Sequence, residues 1–126
     1  MKKIICLALL TFQSAFAATP VYLCNLAESN FNQNTHNTYN DLKVKIVGPE
    51  ENSITIDVSD NKKASIHLWK EFGFYNLSIN INEIDESGNL IDITSFTQAS
   101  FTSLSKKFTV GSGGKEGMFY SLTCKR

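Results

Sequence analysis

Residues 75–82 read YNLSININ, and the alternation is strict. Tyr75, Leu77, Ile79 and Ile81 point one way; Asn76, Ser78, Asn80 and Asn82 point the other. A two-residue period belongs to the extended chain, whose successive side chains leave opposite faces, and a face that is apolar on one side only must be half buried. The same pattern recurs. LKVKI sets Leu42, Val44 and Ile46 against Lys43 and Lys45, ITIDV repeats it with Ile54, Ile56 and Val58, and ASIHLW sets Ala64, Ile66 and Leu68 against Ser65, His67 and Trp69. At Glu83-Ile84 the phase breaks, which predicts a bulge or a strand end.

Short polar segments rich in turn residues, GPEEN, SDNKK and DESGN, separate these runs. Further strands are predicted at 21–26, 90–96, 99–110 (with a break near Ser105) and 118–124. No helical period is sustained, and the one weak helix candidate lies at 69–74. Seven or eight strands on short links make an antiparallel meander, all-β, forming either a small barrel or a flattened two-sheet sandwich. A transmembrane barrel turns its apolar positions outward and needs strands of about 9–11 residues. Runs of about five to seven residues argue against it.

The N-terminus reads MKKIICLALLTFQSAFAATP. Two lysines, an apolar run and Ala15-Phe16-Ala17 have the order of a secretory signal peptide, with cleavage expected after Ala17. Residues 18–126 then form a single secreted domain, with no transmembrane segment after cleavage. Cys6 leaves with the signal. Of three cysteines, Cys24 and Cys124 remain, and two cysteines in an oxidising compartment are expected to pair. That bond joins the two ends of the domain and places the first and last strands side by side.

Loss of Lys2 and Lys3 leaves ten basic and twelve acidic side chains, a net charge of about −2 with histidine neutral. No basic excess exists to neutralise phosphates, so neither nucleic acid nor an anionic lipid surface is an expected partner. GSGGKEG (111–117) lacks the Lys-Ser/Thr ending and following helix of a phosphate-binding loop. DESGN has its glycine at the fourth position and Phe96 at the twelfth, which does not fit a calcium-binding loop. His36 and His67 have no metal-ligand spacing around them, and no nucleophile–base or paired-carboxylate motif is legible. No cofactor is implied, and the chain is not read as an enzyme.

Two segments remain as binding candidates. Trp69, Phe72 and Phe74 fall within six residues, and strand parity turns Trp69 outward; the alternatives are an exposed aromatic patch or a cap over the open end of the core. Residues 28–41, ESNFNQNTHNTYND, read as a long polar loop whose Phe31 and Tyr39 suit anchors for a glycan or protein surface.

Export, small size, Tyr22-Leu23-Cys24 near the start of the domain and a cysteine at its end resemble the bacterial periplasmic lysozyme inhibitors of the c-type class. The resemblance implies a small antiparallel barrel that inserts a loop into the lysozyme cleft. It covers the two ends of the chain. The Ser-Gly-x-x-Tyr motif of that family has no counterpart, because Gly114, Lys115 and Glu116 follow Ser112-Gly113, and no binding residue is carried over. The expectation is an uncharacterised exported bacterial domain, periplasmic or released and monomeric. Its expected role is a non-catalytic binding module for a protein or glycan of the envelope or exterior, a protein inhibitor being one case. The alternatives are a carrier holding a small ligand in the barrel interior and an enzyme with a dispersed site.

Overall fold

The computed structural model describes residues 20–126; the expected cleavage after Ala17 and Cys6 lie outside the described residues. The strands are β1 (Val21–Asn30), β2 (Thr35–Val47), β3 (Ile54–Val58), β4 (Lys62–Glu71), β5 (Phe74–Ile84), β6 (Leu90–Phe101), β7 (Lys107–Gly113) and β8 (Met118–Lys125). They form one nearly closed, barrel-like sheet in the order β6-β5-β4-β2-β1-β8-β7, with β3 on β4 beside this path. Among the described residues no helix is long and apolar enough to cross a membrane.

Cys24 and Cys124 stand directly opposite each other in the antiparallel β1–β8 ladder and are disulfide-bonded, with Cα atoms 4.0 Å apart. Such a bond fits an oxidising, non-cytoplasmic environment. Inside the barrel the alternating residues meet as one core: Tyr22, Leu26 and Val44 from one side, Ile66, Leu68, Leu77, Ile79 and Ile81 from the other, and Tyr120 and Leu122 beside the disulfide. Most strands run well beyond five to seven residues, so length does not separate this barrel from a membrane one. Orientation does, because the continuous apolar face points inward and the Asn-Ser row of β5 outward.

Two departures from the expected strands share a physical cause. Residues 28–41 are not a loop. They are the far halves of β1 and β2, joined by a tight turn at 31–34. Asn40 and Asp41 together oppose Asn25, a bulge in which Asp41 takes a φ of 58° and its N–H donates to Asn25 Oδ1 at 3.1 Å. The extra residue puts Tyr39 and Leu42 against the core three positions apart, which erases the two-residue period. In β1 the inward row continues as Tyr22, Cys24, Leu26 and then Glu28, where a carboxylate ends the apolar signal although the strand goes on. Likewise 90–96 joins the start of the predicted 99–110 strand as β6, and the break near Ser105 falls within 102–106.

Closure differs in kind around the barrel. The β1–β8 junction is a full ladder, whereas β6 and β7 share one isolated bridge, Ser95 to Gly114. Lys115 N–H adds one backbone bond to the Thr94 carbonyl at 3.2 Å, and side chains do the rest. The buried Ser112 hydroxyl meets Ser95 Oγ and accepts from Thr97 Oγ1 at 2.6 Å, Ser95 Oγ donates to the Gly113 carbonyl at 2.8 Å, and Phe101 packs on Phe108. On the other flank β3 is too short to cover β4, so Ile46 and Val47 pair in parallel with Leu68 and Trp69. Ser53 stitches this junction: its Oγ donates to the Lys45 carbonyl at 2.6 Å and accepts from Leu68 N–H at 2.9 Å.

Replacing both cysteines, Cys24→Ser with Cys124→Ser, removes a cross-link spanning 100 residues and is expected to lower stability by about 2–5 kcal/mol in urea unfolding. Ser112→Ala strands the hydroxyls it joins. It should cost about 1–3 kcal/mol and speed amide exchange in β6 and β7 ahead of β1 and β8; uniform exchange would contradict a side-chain seam.

Candidate functional site

The outward side chains of β4, β5 and β6 make one surface, because directly paired residues share a face. Its rows run Trp69–Asn76–Ser100, His67–Ser78–Gln98, Ser65–Asn80–Phe96 and Lys63–Asn82–Ile93. The middle is amide and hydroxyl; Ser100 Oγ donates to Asn76 Oδ1 at 2.7 Å. Both ends are apolar. At one end stand Trp69, Phe72 and Phe74, and at the other the exposed Phe96 and Ile93, with Leu90 and Ile91 exposed nearby on β6.

The aromatic end owes its shape to the β4–β5 turn. Glu71 pairs with Phe74, leaving Phe72-Gly73 as a two-residue connection with φ of 53° and 80°. Positive φ at both central positions is the hairpin geometry that favours Asn-Gly. Phenylalanine is costly there, since the left-handed region crowds its Cβ against the backbone. The Phe72 ring gains no packing in return: it is 90% exposed. No core contact accounts for phenylalanine at this position. Trp69 beside it is half-buried and held in place, its ring stacked on His67 with centroids 4.0 Å apart and its Nε1–H donating to Glu71 Oε2 at 3.1 Å. His67 Nε2 lies 3.0 Å from the Gly48 carbonyl, which can only accept, so that nitrogen carries the proton. Trp69, Phe72, Phe74, Asn76, Gln98 and Ser100 line an open cavity of about 340 Å³.

The predicted helix at 69–74 is therefore a hairpin tip, because β4 continues to Glu71 and leaves only two residues to reverse the chain. Phe72 and Phe74 are exposed at this tip, and Trp69 lies half-buried beside them on the sheet face.

The other candidates lie elsewhere. Phe31 and Tyr39 belong to the opposite end of the barrel and are not brought together with Trp69, Phe72 and Phe74. Phe31 is exposed in the 31–34 turn, its N–H donating to the Gly117 carbonyl at 3.0 Å and its ring 6.4 Å from Phe119. Tyr39 packs on the core and its hydroxyl accepts from Ser59 N–H at 2.9 Å, which makes it a structural residue rather than an anchor. DESGN is a turn built on Asp85, whose carboxylate accepts from the N–H groups of Ser87 and Asn89 and is held below the usual carboxylate range by those bonds, Asn89 first. GSGGKEG is half strand and half turn, since β7 runs through Gly113 and 114–117 makes the connection to β8.

Sequence reasoning missed two features. The apolar β6 end stayed hidden because bulges at Ile81/Asn82 and Glu83/Ile84 turn Ile91, Ile93 and Phe96 to the surface out of simple alternation. The buried Glu28 stayed hidden because a charged residue reads as a strand end; its even-numbered place after Tyr22, Cys24 and Leu26 is the signal that points inward.

No protein-family model, curated protein or solved structure matches this chain.

Phe72→Asn keeps the turn and relieves the left-handed phenylalanine. It is expected to raise the unfolding free energy by roughly 0.5–1.5 kcal/mol in denaturant titration. A loss of stability would show that the ring serves the fold.

Proposed function

We propose that this chain is an exported, non-catalytic binding module. Its outer β4–β6 face would dock on a macromolecule of the envelope or the exterior, with Phe72 as the inserted anchor. One observation carries the reading: an almost fully exposed phenylalanine, held at a backbone angle that disfavours it, at the tip of a short hairpin. Strained, exposed positions of this kind are where folds place contact residues at a cost to stability. The surroundings support it. Aromatic anchors next to a rim of amides and hydroxyls have the make-up of a recognition surface, and the two-residue turn presents the ring with little to order on binding. The disulfide and the signal-like N-terminus support export to the periplasm or the exterior. A projecting ring suits a pocket on a protein partner, and a protein inhibitor is one form such a module takes.

The test is photo-crosslinking from envelope extract with a photo-reactive residue at Gln98, in the centre of the face. The expected result is one dominant protein adduct, abolished by Phe72→Asn and retained by the far-end substitution Phe31→Ala. Capture that ignores Phe72→Asn, or loss caused by Phe31→Ala alone, would overturn the assignment of the face. A response confined to purified envelope polysaccharide would replace the protein partner with a glycan.

A further inference from the structure

The barrel end opposite Phe72 is a second, chemically different site. There the β1–β2, β3–β4 and β7–β8 turns surround a cavity of about 320 Å³, at the small end of the roughly 300–1,000 Å³ typical of ligand sites. Asn32 Nδ2–H of the first turn donates to the Glu116 carbonyl of the last at 3.0 Å, which ties the rim together. Glu28 lines this cavity although it is only 3% exposed. It sits on β1 directly between Asn37 of β2 and Tyr120 of β8. Its Oε1 accepts from Ser59 Oγ and from Asn37 Nδ2 at 3.3 Å. Its Oε2 is buried without a hydrogen-bond partner.

Among the described residues the ion pairs are Lys63–Asp57 and Lys115–Asp92, and neither includes Glu28. A buried carboxylate without a counter-charge is costly, and the cost is removed by a positive group that also donates hydrogen bonds. Tyr120 does not fill that role. Burial first, then a side-chain hydrogen bond with Glu28 and the Glu28 charge, hold its phenol well above the ordinary range, so it stays neutral. Its hydroxyl is likewise buried, with no partner at strict hydrogen-bond distance, and Glu28 is its neighbour across the ladder. That contact gives Glu28 a hydrogen bond and no charge.

The field of the whole mouth has the same sign. Asp60 and Glu116 line the cavity with Glu28, and an adjoining space of about 90 Å³ adds Glu83 and Asp92. Of the two lysines there, Lys115 is committed to both oxygens of Asp92 at 2.8 Å; Lys62 lines the Glu28 cavity and faces Glu83 across the ladder, which leaves the carboxylates of the mouth in excess. Among the described residues no three His, Cys, Asp or Glu side chains converge as a metal site. The lining of Asn, Gln, Thr and Ser offers further acceptors to N–H groups.

We propose that the barrel mouth binds an organic cation, a ligand carrying a primary ammonium or guanidinium group whose charged nitrogen docks at the Glu28 carboxylate where it lines the cavity with Ser59, Asp60 and Glu116. The shared chemistry comes from either of two sources, a free polyamine or a lysine or arginine side chain of a polypeptide. The deep interior is filled by core side chains, so the mouth is where a small ligand finds room.

The experiment is an NMR titration of the disulfide-bonded protein with spermidine, acetyl-Gly-Lys-Gly-amide and acetyl-Gly-Arg-Gly-amide. Acetyl-Gly-Gln-Gly-amide is the neutral control and calcium chloride the metal control. The expected result is a saturable shift of the Glu28, Asn37 and Ser59 amides with the cations only. Glu28→Gln should weaken it by at least about tenfold, the loss of one charge-assisted contact. Tighter binding of spermidine assigns a free amine, and tighter binding of the peptides a basic side chain. Should Glu28→Gln not fold, Asp60→Asn with Glu116→Gln at the rim should still weaken binding several-fold. Phe72→Asn should leave the titration unchanged, so the site stands or falls apart from the outer face. No saturable shift with any organic cation, an equal response to the glutamine peptide, a response to calcium alone, or binding that ignores both sets of charge removals would overturn the proposal.

Discussion

Cys24 and Cys124 meet as directly opposed residues of the inward rows, near the start of β1 and the end of β8, and that meeting puts the first and last strands side by side. Once β1 and β8 are a ladder, β2 and β7 follow on either flank through short hairpins, and the inward residues of four strands share one interior with those of β4 and β5. A meander without this junction would be an open sheet with two unpaired edges and one apolar face exposed. The covalent bond spans almost the whole domain, so it removes conformational freedom from the unfolded chain where the gain is greatest.

Closing the sheet at β1–β8 moves the weak point to β6 and β7. There Ser95, Thr97, Ala99 and Ser112 leave a stretch of small or hydroxylated inward residues beside the Phe101–Phe108 contact, and the seam is held more by side chains than by backbone pairs. The same barrel separates two surfaces of different chemistry. The β4–β5 hairpin carries aromatic rings out at one end, and three turns draw carboxylates together at the other. Each rests on a strand end that the shared core keeps rigid, and β4 connects them, with Lys62 at the acidic mouth and Trp69 at the aromatic tip.

Much of this was legible from residue order. Strict alternation in 75–82 located β5 and its buried face, the same period found β3 and most of β4, and the cysteine count paired the chain ends. Legibility failed wherever the period was broken by something that only pairing explains. Asn40-Asp41 forms a bulge opposite Asn25, so Tyr39 and Leu42 both face inward and the segment before Leu42 looks like loop. The bulges of β6, where Thr94 and Ile91 are the extra residues opposite β5, do the same and hide an exposed apolar row. Glu28 lies on an inward row and is silent because a carboxylate there contradicts the hydrophobic pattern. Its partners Ser59 and Asn37 are distant in sequence and near only in the fold.

The sequence by itself determined the class, the strand faces and the pairing of its cysteines, because alternation and cysteine placement are properties of residue order. The tertiary structure alone decided where the barrel closes, which end shows aromatic rings and which gathers carboxylates. Those depend on register, bulges and turn lengths, and each of these shifts a side chain from one face to the other without altering composition. Phe72 shows the division most clearly. As a residue it reads as one more apolar side chain near a strand end. At a positive φ in a two-residue turn it becomes the most exposed large apolar group among the described residues.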